Sequence, residues 1–418
     1  MKVYKFGGAS VKDSNAIKNV VEILKQKADK QLIIVISAMG KITNAFEKLL
    51  NAYFEHQDFT NEINDIKKYH YTIIDELFEK EHKIYAEVDK MFCNIEDKLQ
   101  TEPSLNYGFE YDQIIPFGEL ISTKIVSSYF NECNLKNKWL DFRKYLKTDS
   151  NNREANINWE LSNKFIVKQL NFKDTNIYVI QGFIGSDSNN LPTTLGREGS
   201  DFTASVVANI VEAESVTVWK DVAGFFNIDP KIDESGVILT EISYNEAIEL
   251  AFYGAKIIHP KTINPLKIKN IPLYVKSFVN INEQGTIISN NNIQHTNPVV
   301  PVYIFKENQI LISISKHDYS FLSEKDLSDI FNLIAEHHIK INLMENSALS
   351  FSICIDYDKY KTDNFLLQLK TGFNVKYNQN LELITIRCYD KNAVEFATKS
   401  KEIIVEQKSR YTARFVVK

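Results

Sequence analysis

Lys5-Phe6-Gly7-Gly8-Ala9-Ser10 and Thr193-Thr194-Leu195-Gly196-Arg197-Glu198-Gly199-Ser200-Asp201 carry the residue types that handle phosphate. Around the first, Met1 to Phe6 reads as a short strand, Gly7-Gly8 as a turn, and the spacing of Ile17, Val20-Val21 and Ile23-Leu24 as a helix. Two glycines at that junction remove Cβ atoms where a phosphate would approach the backbone, and a helix N-terminus adds free N–H groups and positive dipole. Lys5 supplies the cation. An ordinary tight turn would explain the glycines alone, and the spacing is not that of a P-loop, which has GxxxxGK before Ser or Thr.

In the second cluster an apolar helix follows at once, with Ala204, Val206-Val207 and Ile210-Val211. Ser200 is expected to cap it and Asp201 to sit in its first turn, where the dipole favours a carboxylate. Capping accounts for Ser200 and Asp201 but not for Arg197 between two glycines. Arginine clamps a carboxylate or phosphate through two parallel hydrogen bonds. A third cluster follows the apolar strand Ser215 to Trp219: Lys220, Asp221 and the turn Asp229-Pro230-Lys231, at the strand end where open α/β sheets bind ligands. Ser243 and Glu246 then form a capping box for a helix through Tyr253, stopped by Gly254, with Lys256 just beyond.

The elements that must position these residues are those of a large α/β protein. The chain has 418 residues, 44% of them hydrophobic, which is enough for two or more domains. A formal net charge of −5 leaves no basic excess of the kind that marks nucleic-acid binding. Cys93, Cys133, Cys354 and Cys388 are isolated, no apolar run reaches the length of a membrane span, and no secretory signal precedes the first strand. A cytoplasmic protein with reduced thiols is therefore expected. The eight histidines show no zinc-ligand spacing, and no metal site built from the protein is expected. About residues 54–105 the apolar spacing is helical, which reads as an insertion beside the site; the Asn-rich stretch Ser289 to Asn297 reads as a domain boundary.

These motifs resemble those of the aspartate kinases of the amino-acid-kinase superfamily. The similar stretches are KFGGAS, VISAMGKITN at 35 to 44, FGELIS at 117 to 122, QGFIGSD at 181 to 187, TTLGREGSD, WKDVAG with its DPK, and EISYNEAIELAFYGAKIIHPKTI, in the family's order over about the first 290 residues. The resemblance implies an α/β, three-layer amino-acid-kinase fold with a mostly parallel sheet over 1–292 and an ACT-like α+β region over 299–418, made of two interleaved divergent units. It implies ATP-dependent phosphorylation of the side-chain carboxylate of L-aspartate, the first step towards lysine, threonine and methionine. Lys5, Asp201 and Lys256 take catalytic roles in it. Ser37, Thr43, Glu119, Phe183, Arg197 and Ser200 line the aspartate pocket, Glu119 receiving the ammonium and Arg197 clamping a carboxylate. Lys5, Gly7, Gly8, Lys220, Asp221, Phe226, Lys231 and Lys256 surround the nucleotide.

A carboxylate nucleophile, with a pKa of about 4, is already ionised at neutral pH, so no general base is required. Lys5, Lys256 and a magnesium ion carried mainly on the phosphates would neutralise the meeting of two anions. Ala9, Glu198, Lys220 and Phe226 depart from the family pattern, where Thr, Gly, Thr or Ser, and Tyr are common. Beyond the boundary, a strand at Gln309 to Ser315, a helix at Glu324 to His337, strands at Lys340 to Met344 and Leu349 to Ile355, and separate strands at Phe373 to Tyr377 and Leu381 to Cys388 are expected. ILISIS, INLMENSALSFSICID and LELITIRC are the pieces that resemble ACT domains. That likeness implies a homodimer, with Asn342, Asn346 and Ser347 lining a site for lysine or threonine. Asn342 and Ala348 replace the acidic residues of lysine-sensitive members, so dimerisation alone is an equal reading. Two other functions stay open: a non-catalytic amino-acid sensor, and a sister kinase for another acidic substrate.

Overall fold

Val3 to Phe6, Leu32–Ile36 and Ile177–Gln181 are buried along their whole length, the pattern of strands covered on both faces by helices. The computed structural model describes residues 1–27, 31–255, 258–290, 295–318 and 320–418. They divide into two units: Met1–Phe225 with Ile238–Ile248 and Ile257–Pro298, and Phe226–Val237 with Glu249–Lys256 and Val299–Lys418.

The first unit holds a nine-stranded sheet in the order Thr296–Asn297, Glu241–Ser243, Thr286–Ser289, Leu273–Ser277, Ser215–Lys220, Lys2–Phe6, Leu32–Ile36, Ile177–Gln181, Lys138–Leu140. Pairing is parallel except where Thr286–Ser289 meets Leu273–Ser277 and Thr296–Asn297 meets Glu241–Ser243. Register sets Phe6 opposite Ile36 and Trp219, and Ile36 opposite Gln181. Gly7, Ser37 and Gly182 therefore leave the sheet at one end, the carboxyl ends of adjacent parallel strands, beside Lys220, the last residue of its own strand. The helix Ser14–Lys27 buries Ile17, Val20, Val21, Ile23 and Leu24, the stripe its spacing predicts. In the 54–105 segment, Thr60–Leu77 and Ile84–Leu99 are helices whose Ile66, Ile74, Val88, Phe92 and Ile95 join the same core. Burying a side chain such as Phe92 is worth about 1.5–3 kcal/mol.

The second unit is built on a six-stranded antiparallel sheet, ordered Ile341–Asn346, Phe351–Asp356, Val302–Ser315, Asn374–Arg387, Thr412–Val417, Ile403–Lys408. The helices Glu324–Glu336, Lys359–Gly372 and Lys391–Thr398 start at the caps Ser323, Asp358 and Asp390. Ile310, Ile312 and Ile314 pack with Ile330, Ile353 and Phe365, while Leu311 turns to the other face with Leu343, Cys354, Leu383 and Val416.

Two expected strands, Phe373 to Tyr377 and Leu381 to Cys388, prove to be one strand of 14 residues. Its partner likewise begins at Val302, ahead of the expected Gln309. Polar residues interrupt both patterns where the register shifts at Lys306, Gln309 and Leu311, and Asn308 and Asn380 take left-handed φ values of 55° and 58°. A bulge absorbs the break in alternation without ending the pairing. No helix among the described residues is long and apolar enough to cross a membrane.

Candidate active site

Asp201 is the centre of a cationic cluster at the carboxyl ends of the strands. It lies in the first turn of the helix Gly199–Ile210, 3% exposed. Lys5 Nζ meets its Oδ1 at 2.5 Å, and Lys220 Nζ approaches Oδ2 at 3.7 Å. Burial opposes the charge of Asp201, yet the two ammonium groups hold its pKa below the usual carboxylate range. The arrangement joins the ends of two adjacent strands to one helix start and leaves a net positive charge, which suits a phosphate chain.

The glycines serve this geometry differently from expectation. Gly7 is extended, at φ −80° and ψ 172°, and Gly8 begins a 3₁₀ turn, Gly8–Val11, before the α-helix starts at Ser14. A Cβ on Gly8 would stand 2.7 Å from the carbonyl oxygens of Ala38 and Gly40, so this glycine lets two loops touch. Gly40 N–H donates to Gly8 O at 2.9 Å across the same contact. Only Gly7 faces the cation: its absent Cβ would lie 3.3 Å from Lys5 Nζ.

The second motif also corrects its reading. Ser200 does not cap the helix; the helix begins at Gly199, after Glu198 in a left-handed conformation at φ 53°. Close packing dictates the earlier start. A Cβ on Gly182 would fall 2.4 Å from Ser200 Cβ, and one on Gly199 would fall 2.7 Å from the Phe183 ring. Phe183 itself has φ 72°, donates its N–H to Thr203 Oγ1 at 3.0 Å and accepts from Leu195 N–H at 2.9 Å. Sequence reasoning gave Gly182 no role of its own, because a glycine required by a neighbouring backbone has no local signature.

Glu119 is the second buried carboxylate. It sits in the first turn of Pro116–Glu132, fully buried, held by its own N–H and that of Ala38. Its Oε2 has no hydrogen-bond partner among the described residues. Burial, opposed by those two N–H groups, pushes its pKa up to about 8. Ser122, on the same helix, donates to Ser37 O at 2.7 Å, fixing the loop that also touches Gly8. Thr43 is half-buried in the first turn of Ile42–Phe54. Arg197 is exposed, next to the buried Ser200.

The structure thus gathers Lys5, Gly7, Gly8, Ser37, Glu119, Phe183, Ser200, Asp201 and Lys220 around one sheet edge. Asp221 is exposed at the end of its strand. Phe226 and Lys231 belong to the second unit, and Lys256 lies outside the described residues. The helix before it is Tyr244–Tyr253, with Ser243 Oγ accepting from Glu246 N–H at 3.2 Å and Gly254 at φ +120°. Of the effector candidates, Asn342 is buried in a network, accepting from Lys306 Nζ at 2.8 Å and donating to Gln309 and Asp356. Ser347 makes a turn with Ser350, and Asn346 ends its strand. No group of three His, Cys, Asp or Glu that could hold a metal occurs among the described residues.

Fold and site define the class: residues 1–277 match the amino acid kinase family, and the chain belongs to it. It is 29% identical to lysine-sensitive aspartokinase 3 of Escherichia coli over 401 residues, covering 92% of this chain and 86% of that one. The solved structure of E. coli aspartokinase III with lysine and aspartate, in its T-state, superposes with a TM-score of 0.84 at 25% identity, over all of this chain and 96% of that one. The same enzyme with aspartate and ADP, in its R-state, gives 0.81 at 25% identity, with the same coverage.

Proposed function

We infer that this chain is an aspartate kinase, transferring the γ-phosphoryl group of ATP to the side-chain carboxylate of L-aspartate to form 4-phospho-L-aspartate. The observation that carries the substrate is the buried Glu119 Oε2, which has no hydrogen-bond partner among the described residues. It has a task only if the substrate brings a free ammonium, and aspartate does.

In this reading Glu119 binds the ammonium and Arg197 clamps a carboxylate, with Ser37, Thr43, Phe183 and Ser200 around them. The reacting carboxylate is held in line with the γ-phosphate, and positioning replaces a general base. Lys5, Lys220 and Lys256 neutralise the phosphates while Gly7 and Gly8 bring backbone close to them. Asp201 keeps Lys5 and Lys220 aimed at one point, so their charge is organised before the reaction. Magnesium would arrive with the nucleotide rather than on a ligand set of the protein, and would supply further neutralisation of the phosphates beside Lys5 and Lys220. Asp221, Phe226 and Lys231 complete the nucleotide side.

The kinase domain in this proposal covers 1–292 and the ACT-like region 299–418. The latter joins two copies in a homodimer and places Asn342, Asn346 and Ser347 at an amino-acid effector site, lysine or threonine. The enzyme works in the cytoplasm.

Purified protein with ATP, magnesium and L-aspartate, trapped with hydroxylamine, tests the reaction. Aspartate-dependent hydroxamate that disappears in Lys5→Ala and Glu119→Ala is the expected result. Amino-acid binding without hydroxamate from aspartate or glutamate would replace the kinase with a sensor.

A further inference from the structure

We propose that Asp112 is a positioning residue that sets the separation between Glu119 and Arg197, the two ends of the substrate clamp. The proposal rests on the aspartate kinase reading above.

Asp112 lies on the helix Tyr107–Ile114, and Ile115 alone separates that helix from Pro116–Glu132, which carries Glu119. Its carboxylate is fully buried and collects donors from two other segments. Thr194 Oγ1 donates at 2.7 Å, Asn152 Nδ2 at 2.9 Å, and Arg153 N–H at 3.2 and 3.3 Å to the two oxygens. Thr194 ends the strand Pro192–Thr194 and precedes Leu195-Gly196-Arg197.

Those residues are fixed from both sides. Ala155 N–H donates to Thr194 O at 2.9 Å on one side, and Leu195 N–H to Phe183 O at 2.9 Å on the other. Gly196, at φ +75°, lies so close to the 153–154 backbone that a Cβ would be 3.3 Å from Arg153 O. The Arg153 guanidinium also stacks 4.8 Å from the Tyr111 ring, next to Asp112 on its helix. A buried carboxylate is costly where an apolar residue could pack, and it survives only with its donors in place. Here those donors lie on the strand that leads into Arg197 and on the 152–153 loop packed against Gly196. Asp112 thus converts the placement of the Glu119 helix into the placement of Arg197. The lone acid in Tyr111-Asp112-Gln113-Ile114 gives no local sign of this role.

Steady-state kinetics on Asp112→Ala, Asp112→Asn, Thr194→Val and the double variant Asp112→Ala/Thr194→Val test it, with Arg197→Ala as the reference for the clamp. Loss of Asp112 is expected to lower kcat/KM for L-aspartate on the order of a hundredfold, as a small misplacement can, with KM for ATP unchanged. Asp112→Asn keeps an acceptor for the 152–153 loop and recovers most of the loss. Thr194→Val shifts KM for aspartate in the same direction, and adds nothing to Asp112→Ala, because both break one link. If folded Asp112→Ala keeps the wild-type KM for aspartate, or raises both KM values alike, Asp112 only supports the fold. Should Asp112→Ala not fold, Thr194→Val decides by the same criterion. An Arg197→Ala enzyme with normal aspartate kinetics would remove the clamp itself, a failure distinct from that of Asp112.

Discussion

The Asp201 side and the Glu119 side of the site both bury a carboxylate, and they treat it in opposite ways. Asp201 has Lys5 at 2.5 Å and Lys220 at 3.7 Å, and its pKa is held low. Glu119 has backbone N–H groups but no cation among the described residues, and its pKa is pushed up to about 8. Burial is common to both; the counter-charge is not. The Asp201 side pairs its carboxylate with cations before ligand arrives and keeps a net positive charge, whereas Glu119 meets no cation among the described residues, a place that an ammonium would fill.

The largest effect that could break this comparison is expected from Lys5. Lys5→Met removes the nearer of the two cations and leaves Asp201 with the more distant Lys220, so kcat should fall on the order of 10²–10³-fold, as for loss of one preorganised charge-stabilising group. Hydroxamate trapping measures it, and a normal rate would show that Asp201 does not organise the site. Next is Glu119→Gln, which keeps the shape but not the charge. Binding of L-aspartate should weaken by about 2 kcal/mol or more, read by calorimetry, while ATP binding stays unchanged.

The same pair predicts opposite responses to pH. Glu119 rises from an ordinary 4.5 to about 8, so between those values the folded state holds a proton that the unfolded state has released. Stability from this group therefore falls as pH rises through that window, and Glu119→Gln should melt above wild type at pH 8, with the gap closing by pH 4.5. Asp201, with its pKa lowered, contributes stability above its unfolded value that is lost as pH falls through the folded one. Aspartate binding should also weaken as pH drops below about 8, because the ammonium then has to displace a proton from Glu119; Glu119→Gln should flatten that profile.

Two smaller effects sharpen the picture. Lys220 is the more exposed and more distant of the two cations, so Lys220→Thr should cost about 1 kcal/mol or less in ATP binding, seen as a modest rise in KM. Glu198 holds φ 53°, a conformation that suits glycine. Glu198→Gly should raise stability by at most about 1 kcal/mol, since relief of left-handed strain is partly offset by backbone entropy. Thermal denaturation distinguishes that from no change.

Much of the fold was legible because its signals are local. The strand before Gly7, the helix Ser14–Lys27 and the stop at Gly254 follow from apolar spacing and turn residues. Errors fell where the cause lay elsewhere in the chain. Ser200 looked like a cap, but the approach of Gly182 and Phe183 starts the helix at Gly199. Polar residues at 378–380 looked like the end of a strand, but pairing across a bulge carries the strand through them.

The sequence by itself determined which groups were present for chemistry: Lys5, Glu119, Arg197, Asp201 and Lys220, with their order along the chain and the elements that carry them. Tertiary structure alone decided that Asp201 is paired with cations and that Glu119, among the described residues, is not. Residue type sets a reference pKa, but burial and the nearest counter-charge depend on which strand ends and helix starts meet, and those meetings join residues as far apart in sequence as Lys5 and Asp201.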